Sequence, residues 1–237
     1  MNNSIKILII IQRSNGDVFL SSTLINVLYE HYNLPQIDLL VNDDTLAVAK
    51  LLPNINFIHL FSYQKKHTSR WKQEKEIIKN IFRKYDLSIN LTASDRSVIY
   101  ALLAGKKSIS AIEKDNKKSW WKKRFLTYHY FFDVTKHILC NNLEPLNLLQ
   151  IDHNNIQKSP EVSNKIVASV KKKLDIRGIK DFLIFHPSAQ YRYKVYPQSL
   201  RHELLSLISK LNIAVVVTGG SNEIDLEIKK KCTTIRK

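Results

Sequence analysis

Lys6-Ile7-Leu8-Ile9-Ile10-Ile11-Gln12-Arg13-Ser14-Asn15-Gly16-Asp17 is the stretch on which the fold turns. Ile7 to Ile11 is a continuous apolar run rich in β-branched residues, the pattern of a strand buried on both faces of a parallel sheet. Ser14-Asn15-Gly16-Asp17 reads as a tight turn, and Gly16 as the residue that lets the backbone make it. Val18 to Tyr32 then reads as one helix, its apolar positions Val18, Leu20, Leu24, Val27 and Leu28 mostly at helical spacing. Strand, turn and helix open a βαβ unit, and Ile37 to Val41 supplies the next strand.

The same alternation continues outward from that opening. A short helix is expected over Ala47 to Leu52, a strand over Ile55 to Leu60 and a helix over Gln73 to Lys84. A strand over Leu87 to Leu91 follows, then a helix over Arg96 to Ala104 that ends on Gly105 as a left-handed cap. Strands alternating with helices predict a doubly wound α/β domain with right-handed crossovers over residues 1–150. A polar stretch within residues 151–165 reads as a linker. Beyond it come a helix (Asn164 to Leu174), a strand (Phe182 to Phe185), a helix (Pro197 to Leu211), a strand (Ala214 to Val217) and a final helix from Glu223 towards Cys232. Residues 166–237 therefore read as the front part of a second Rossmann-like domain, shorter than such domains usually run.

Composition narrows the function classes. Hydrophobic residues make up 44% of the 237, enough for a packed core, and five glycines with six prolines exclude a collagenous or low-complexity chain. The formal charge of +16 fits partners that are polyanions: nucleic acid, anionic lipid head groups or phosphorylated saccharides. Two separate cysteines, Cys140 and Cys232, fit a reducing compartment. The apolar run before Gln12 is too short for a signal sequence or a membrane span, so a soluble, cytosolic protein is expected.

Three places carry chemistry. Asp17 follows the first strand, and in open α/β sheets ligands bind at the carboxyl ends of strands. It suits either a helix cap or a general base. His186-Pro187-Ser188-Ala189-Gln190 leads through Lys194 to Pro197, where a helix should start; small residues before a helix can receive a phosphate. An ordinary loop with a solvated Lys194 fits equally. Thr218-Gly219-Gly220-Ser221-Asn222-Glu223 ends the next strand, as a simple turn or as a close backbone approach to a ligand.

In order and spacing these pieces resemble glycosyltransferase family 9, the heptosyltransferases. The resemblance is carried by Lys6 to Asp17, by Tyr85-Asp86-Leu87-Ser88-Ile89-Asn90-Leu91 with Arg96-Ser97 and Leu103-Ala104-Gly105, by His186-Pro187 through Lys194 and Pro197, and by Thr218-Gly219-Gly220 with Glu223. It implies a GT-B fold: a complete N-terminal, acceptor-binding Rossmann-like domain and a partial C-terminal one for a nucleotide sugar. It implies Asp17 as the base that deprotonates the acceptor hydroxyl and Lys194 as stabiliser of the leaving diphosphate. Ser188, Gly219, Gly220 and Glu223 would contact the donor. The implied reaction is inverting transfer of heptose or a related sugar, from ADP-heptose as co-substrate, to the lipopolysaccharide core. No Asp-x-Asp motif appears, so no metal or other cofactor is expected. Asn15, Ser188 and Tyr196 depart from the family's usual residues. The family's later Asp-Ser/Thr-Gly-Pro-x-His motif has no counterpart before Lys237, so a chain cut short at its C-terminal end is expected.

Lys114 to Arg124 interleaves Lys117, Lys118, Trp120, Trp121, Lys122, Lys123 and Arg124. Cations around aromatic rings suit phosphates of a lipid acceptor, a membrane interface or single-stranded nucleic acid, and a solvated loop with buried tryptophans fits equally. The family resemblance implies the first: Lys122, Lys123 and Arg124 as acceptor contacts, at the inner face of the cytoplasmic membrane. Two other readings remain: an inactive remnant binding an anionic glycolipid or a partner chain, and a basic nucleic-acid-binding protein. Against the last, no helix-turn-helix, zinc finger or RNP-like motif is present.

Overall fold

The structure, a computed structural model, describes residues 4–64, 69–114, 119–153, 162–187, 189, 192–211, 213–220, 223 and 225–228. The chain forms two compact units, Met1–Val162 and Ser163–Lys237. Helix α8 (Asn164–Asp175) begins inside the stretch expected to be linker.

In the first unit, β1 (Lys6–Ile11) is followed by α1 (Asn15–Phe19), α2 (Ser22–His31), β2 (Gln36–Asn42), α3 (Leu46–Ala49) and β3 (Ile55–Phe61). Then come α4 (Arg70–Ile81), β4 (Tyr85–Asn90), α5 (Asp95–Ala104), β5 (Gly105–Ile112), α6 (Trp120–Phe125), β6 (Tyr128–Phe131) and α7 (Ile138–Leu148). All six strands are parallel, in the order β3-β2-β1-β4-β5-β6. β1 is central, and Ile7 to Ile11 are buried on both faces, as a continuous apolar strand requires. One face packs Ile7, Ile9 and Ile11 with Val18, Leu24, Ile25 and Leu146; the other packs Leu8 and Ile10 with Phe61, Ile77, Ile81 and Tyr100. At the open edge, the Gln73 side chain on α4 accepts from the Ser62 backbone N–H at 2.8 Å and donates to the Ser62 carbonyl at 3.1 Å.

Three expectations change. The single helix over Val18 to Tyr32 is two, α1 and α2, and the Ser21 hydroxyl at their junction donates to the Val18 carbonyl at 2.7 Å. Gly16 lies inside α1, and a Cβ there would meet nothing nearer than the Ser14 hydroxyl at 4.0 Å, so the turn itself does not require glycine. Gly105 is no left-handed cap: it is extended (φ −99°, ψ 151°) and starts β5. A Cβ there would lie 2.5 Å from the Lys107 carbonyl and 2.7 Å from the Ser88 nitrogen, so close strand packing is what excludes a side chain.

Two buried serines account for β5 escaping the apolar pattern. Ser108 exchanges hydrogen bonds with Thr127, and Ser110 receives one from the Asn90 amide at 2.8 Å. The second unit contains α8, β7 (Phe182–Phe185), a 3₁₀ turn Arg192–Lys194, α9 (Gln198–Ser209) and β8 (Ala214–Val217). β7 and β8 pair in parallel, and α8 buries none of its residues.

Candidate active site

Strand order reverses at β1, whose neighbours β2 and β4 lead to opposite edges of the sheet. Helices on either side of β1 and β4 therefore cross to opposite faces, leaving a crevice at the carboxyl ends of those strands, where ligands of open α/β sheets bind. Its walls are stitched together: the Leu91 N–H donates to the Ile10 carbonyl at 3.0 Å, and the Gln12 N–H to the Thr92 hydroxyl at 2.9 Å. The Asn90 amide fixes the loop after β4 through the Thr92 backbone and Ser110, and Ser94 caps α5 by accepting from the Ser97 N–H at 3.3 Å.

Asp17 lies at this crevice. Ser14 is the N-cap of α1 and Asp17 is its third residue, so the aspartate reaches back along a capping box. Its Oδ2 accepts from the Ser14 N–H (3.1 Å) and the Ser14 hydroxyl (2.7 Å), and lies 3.3 Å from Arg13 Nε. The Arg13 guanidinium is itself placed 4.6 Å from the centre of the Phe132 ring. One oxygen is thus held by two hydrogen bonds from Ser14 and a charge contact from Arg13, while Oδ1 has no hydrogen bond among the described residues. The carboxylate therefore caps α1 through one oxygen and leaves the other unbonded among the described residues. The sequence reading singled out Asp17 without its partners Arg13 and Ser14; the signal for Ser14 was the Ser-x-x-Asp spacing of a capping box.

The basic segment divides. Lys122 is fully buried; its ammonium donates to Glu113 (2.9 Å) and the Ala93 carbonyl (3.1 Å) and pairs with the Asp95 carboxylate at 2.7 Å. Buried and neutralised by two carboxylates, it is not available to an acceptor anion as the sequence suggested. Lys123 and Arg124 are exposed. Burial by itself would raise the Glu113 carboxyl, but the Lys122 hydrogen bond and charge, with the Ser119 hydroxyl, hold it below the ordinary glutamate value.

In the second unit, His186 and Thr218 follow β7 and β8 and meet through a 3.0 Å contact between Nδ1 and Oγ1. The parallel pairing thereby brings the loop bearing Lys194 and the turn bearing Gly219 and Gly220 to one end of that sheet. The Gly220 N–H donates to Asp225 at 2.6 Å. Lys194 and Glu223 are exposed, and Lys194 Nζ lies 5.7 Å from the centre of the Tyr193 ring. Ser188 lies outside the described residues. Among the described residues, no group of three or more His, Cys, Asp or Glu side chains could hold a metal ion.

Two Rossmann-like units in one chain, the first with a six-stranded parallel sheet, define the GT-B class of folds. The chain belongs to glycosyltransferase family 9 (heptosyltransferase), whose family profile it matches over residues 75–236. It is similar to lipopolysaccharide heptosyltransferase 3 of Escherichia coli, 27% identical over 232 residues that make up 94% of this chain and 66% of that protein. In fold it resembles a family 9 glycosyltransferase from Veillonella parvula, with a TM-score of 0.78 and 18% identity over 98% of this chain and 66% of that one. It also resembles the E. coli heptosyltransferase WaaC with ADP-2-deoxy-2-fluoro heptose, with a TM-score of 0.70 and 13% identity over 95% and 72% of the two chains. The chain spans about two thirds of the length of the curated relatives it matches.

Proposed function

We propose that the chain serves inverting transfer of a heptose-like sugar from a nucleoside-diphosphate donor to the lipopolysaccharide core. The observation that carries this reading is the Asp17 carboxylate at the β1/β4 crevice, with Oδ2 held and Oδ1 unengaged. In the proposed step Oδ1 takes the proton of the acceptor hydroxyl as that oxygen bonds to the anomeric carbon. The bond from that carbon to the diphosphate breaks, and the nucleoside diphosphate leaves with the electron pair. Lys194 offsets the charge gained by the leaving group. Ser188, Gly219, Gly220 and Glu223 are proposed donor contacts, with ADP-heptose as donor because a related fold was solved with a fluorinated ADP-heptose analogue. Lys123 and Arg124 are proposed acceptor-side cations at the inner face of the cytoplasmic membrane. No helix among the described residues is long and apolar enough to cross a membrane, so this contact is proposed as peripheral.

The test is incubation with ADP-heptose and a heptose-deficient core acceptor, read as a mass gain of one heptosyl unit. Asp17→Asn should abolish transfer while leaving donor affinity within about twofold, because it removes the base without touching the second unit. Equal loss of transfer and donor binding would mean that Asp17 acts as a structural cap alone.

A further inference from the structure

The sequence Trp120-Trp121-Lys122-Lys123-Arg124-Phe125 forms α6, and the fold sends its members in opposite directions. Trp121 packs towards Val98, Ile112 and Leu126, and Lys122 is sealed among Asp95, Glu113 and the Ala93 carbonyl. Trp120, Lys123, Arg124 and Phe125 face outward, with Trp120 68% and Phe125 64% exposed. Trp120, Lys123 and Arg124 stand three and four residues apart, one face of a helix. Lys123 Nζ lies 5.1 Å from the centre of the Phe131 ring, which joins that face to the edge strand β6, where Phe131 and Tyr128 are also exposed. A helix this short has little stability of its own. The buried Lys122 and the partly buried Trp121 act as two pins that mount the outward residues on the domain.

Rings and cations so mixed do not suit a dry protein interface, whose core is depleted of charge. They do suit the bilayer interface, where tryptophan sits at head-group level and lysine and arginine meet anionic lipids. We propose that α6 and β6 form a docking surface for an anionic lipid bilayer, with Trp120 entering the interface and Lys123 and Arg124 pairing with head-group phosphates. The occupant follows from charge complementarity: neither Lys123 nor Arg124 has a salt bridge to a carboxylate among the described residues, in a chain of net charge +16. The proposal rests on the transferase reading and deepens it by naming its membrane-facing surface, but its primary readout, vesicle binding, needs no sugar transfer.

Co-sedimentation with phosphatidylcholine vesicles containing about a third phosphatidylglycerol tests it directly. Trp120→Ala should weaken vesicle binding about tenfold. Lys123→Ala with Arg124→Ala should weaken it about thirtyfold. Lys75→Ala with Lys79→Ala on α4, which removes the same charge elsewhere, should change it by no more than about threefold. All these side chains are exposed, and circular dichroism checks that each variant folds. The proposal is overturned if the α4 pair costs as much as the α6 pair, since net charge would then be the cause. Loss with Trp71→Ala in place of Trp120→Ala, or equal binding to pure phosphatidylcholine, would overturn it too. So would displacement from vesicles by lipid-free core oligosaccharide, which would make the surface a saccharide site. Transfer to that lipid-free acceptor reports on the transferase reading separately.

Discussion

Lys122 and its two carboxylates are unequally buried, and the inequality fixes which substitution should hurt more. The lysine is fully buried, whereas the Asp95 and Glu113 side chains are 71% and 45% exposed. Lys122→Met keeps the stem's volume and removes the cation, leaving two carboxylates that water still reaches. Exposed ion pairs contribute about 0–1 kcal/mol, and a charge-assisted bond to the sheltered Ala93 carbonyl about 1.5–3 kcal/mol. Part of that loss is offset because no ammonium has to be desolvated, so the expected net cost is about 1–3 kcal/mol. The converse variant, Asp95→Asn with Glu113→Gln, leaves an uncompensated ammonium with no water and should cost about 3–5 kcal/mol. Urea unfolding followed by tryptophan fluorescence reads both, since Trp120 and Trp121 adjoin the lysine; the shift is taken from the midpoint at unchanged slope. A larger cost for Lys122→Met than for the double variant would refute the reasoning. Because the Glu113 carboxyl is held low in the fold, the cluster's contribution is present above the ordinary glutamate value and is lost as pH falls through the lower, folded one.

Gly105→Ala should destabilise the first unit by roughly 2 kcal/mol or more, because its Cβ would meet backbone atoms at 2.5 and 2.7 Å. Gly16→Ala, with 4.0 Å of clearance, should leave the thermal midpoint unchanged or raise it, and a midpoint drop would contradict the open site described here. The Gln12 side-chain amide is buried with no hydrogen-bond partner among the described residues, so Gln12→Met should be neutral or stabilising by about 1–2 kcal/mol. A denaturation midpoint clearly below that of the natural chain would show a partner there. Burial lowers the His59 pKa below 6.5, outweighing the attraction of Asp38, and nearby Lys84 lowers it further. The unfolded chain then takes up the proton first, so stability should hold above about pH 6.5 and decline below it towards the folded value. His59→Asn should flatten that part of the profile, and an unchanged slope would remove His59 as the cause.

Elements whose burial is apolar on every residue were legible: Ile7 to Ile11 could hardly be anything but a central strand. β5 was not, because Ser108 and Ser110 are buried by hydrogen bonding, which leaves no hydrophobic period to read. Gly105 showed only that a side chain was unwelcome; a left-handed cap and a crowded strand start leave the same mark on a sequence. At the crevice, Asp17 stood out by its place after β1, and Ser14 could have been read from the capping-box spacing, whereas the approach of Arg13 to Asp17 depends on a rotamer that sequence does not encode. Lys122 and Lys123 are chemically identical neighbours, and only the helical turn of about 100° per residue sends one inward and the other out.

Gln73 has a consequence beyond its own two bonds. Its amide presents to Ser62 one acceptor and one donor, the same pair that an adjoining β-strand would offer. A stray chain seeking to lengthen the sheet past β3 therefore meets that end already occupied by an imitation strand borrowed from a helix. Glutamate at this position, lacking the donor, would lift half of the disguise and invite self-assembly at that rim.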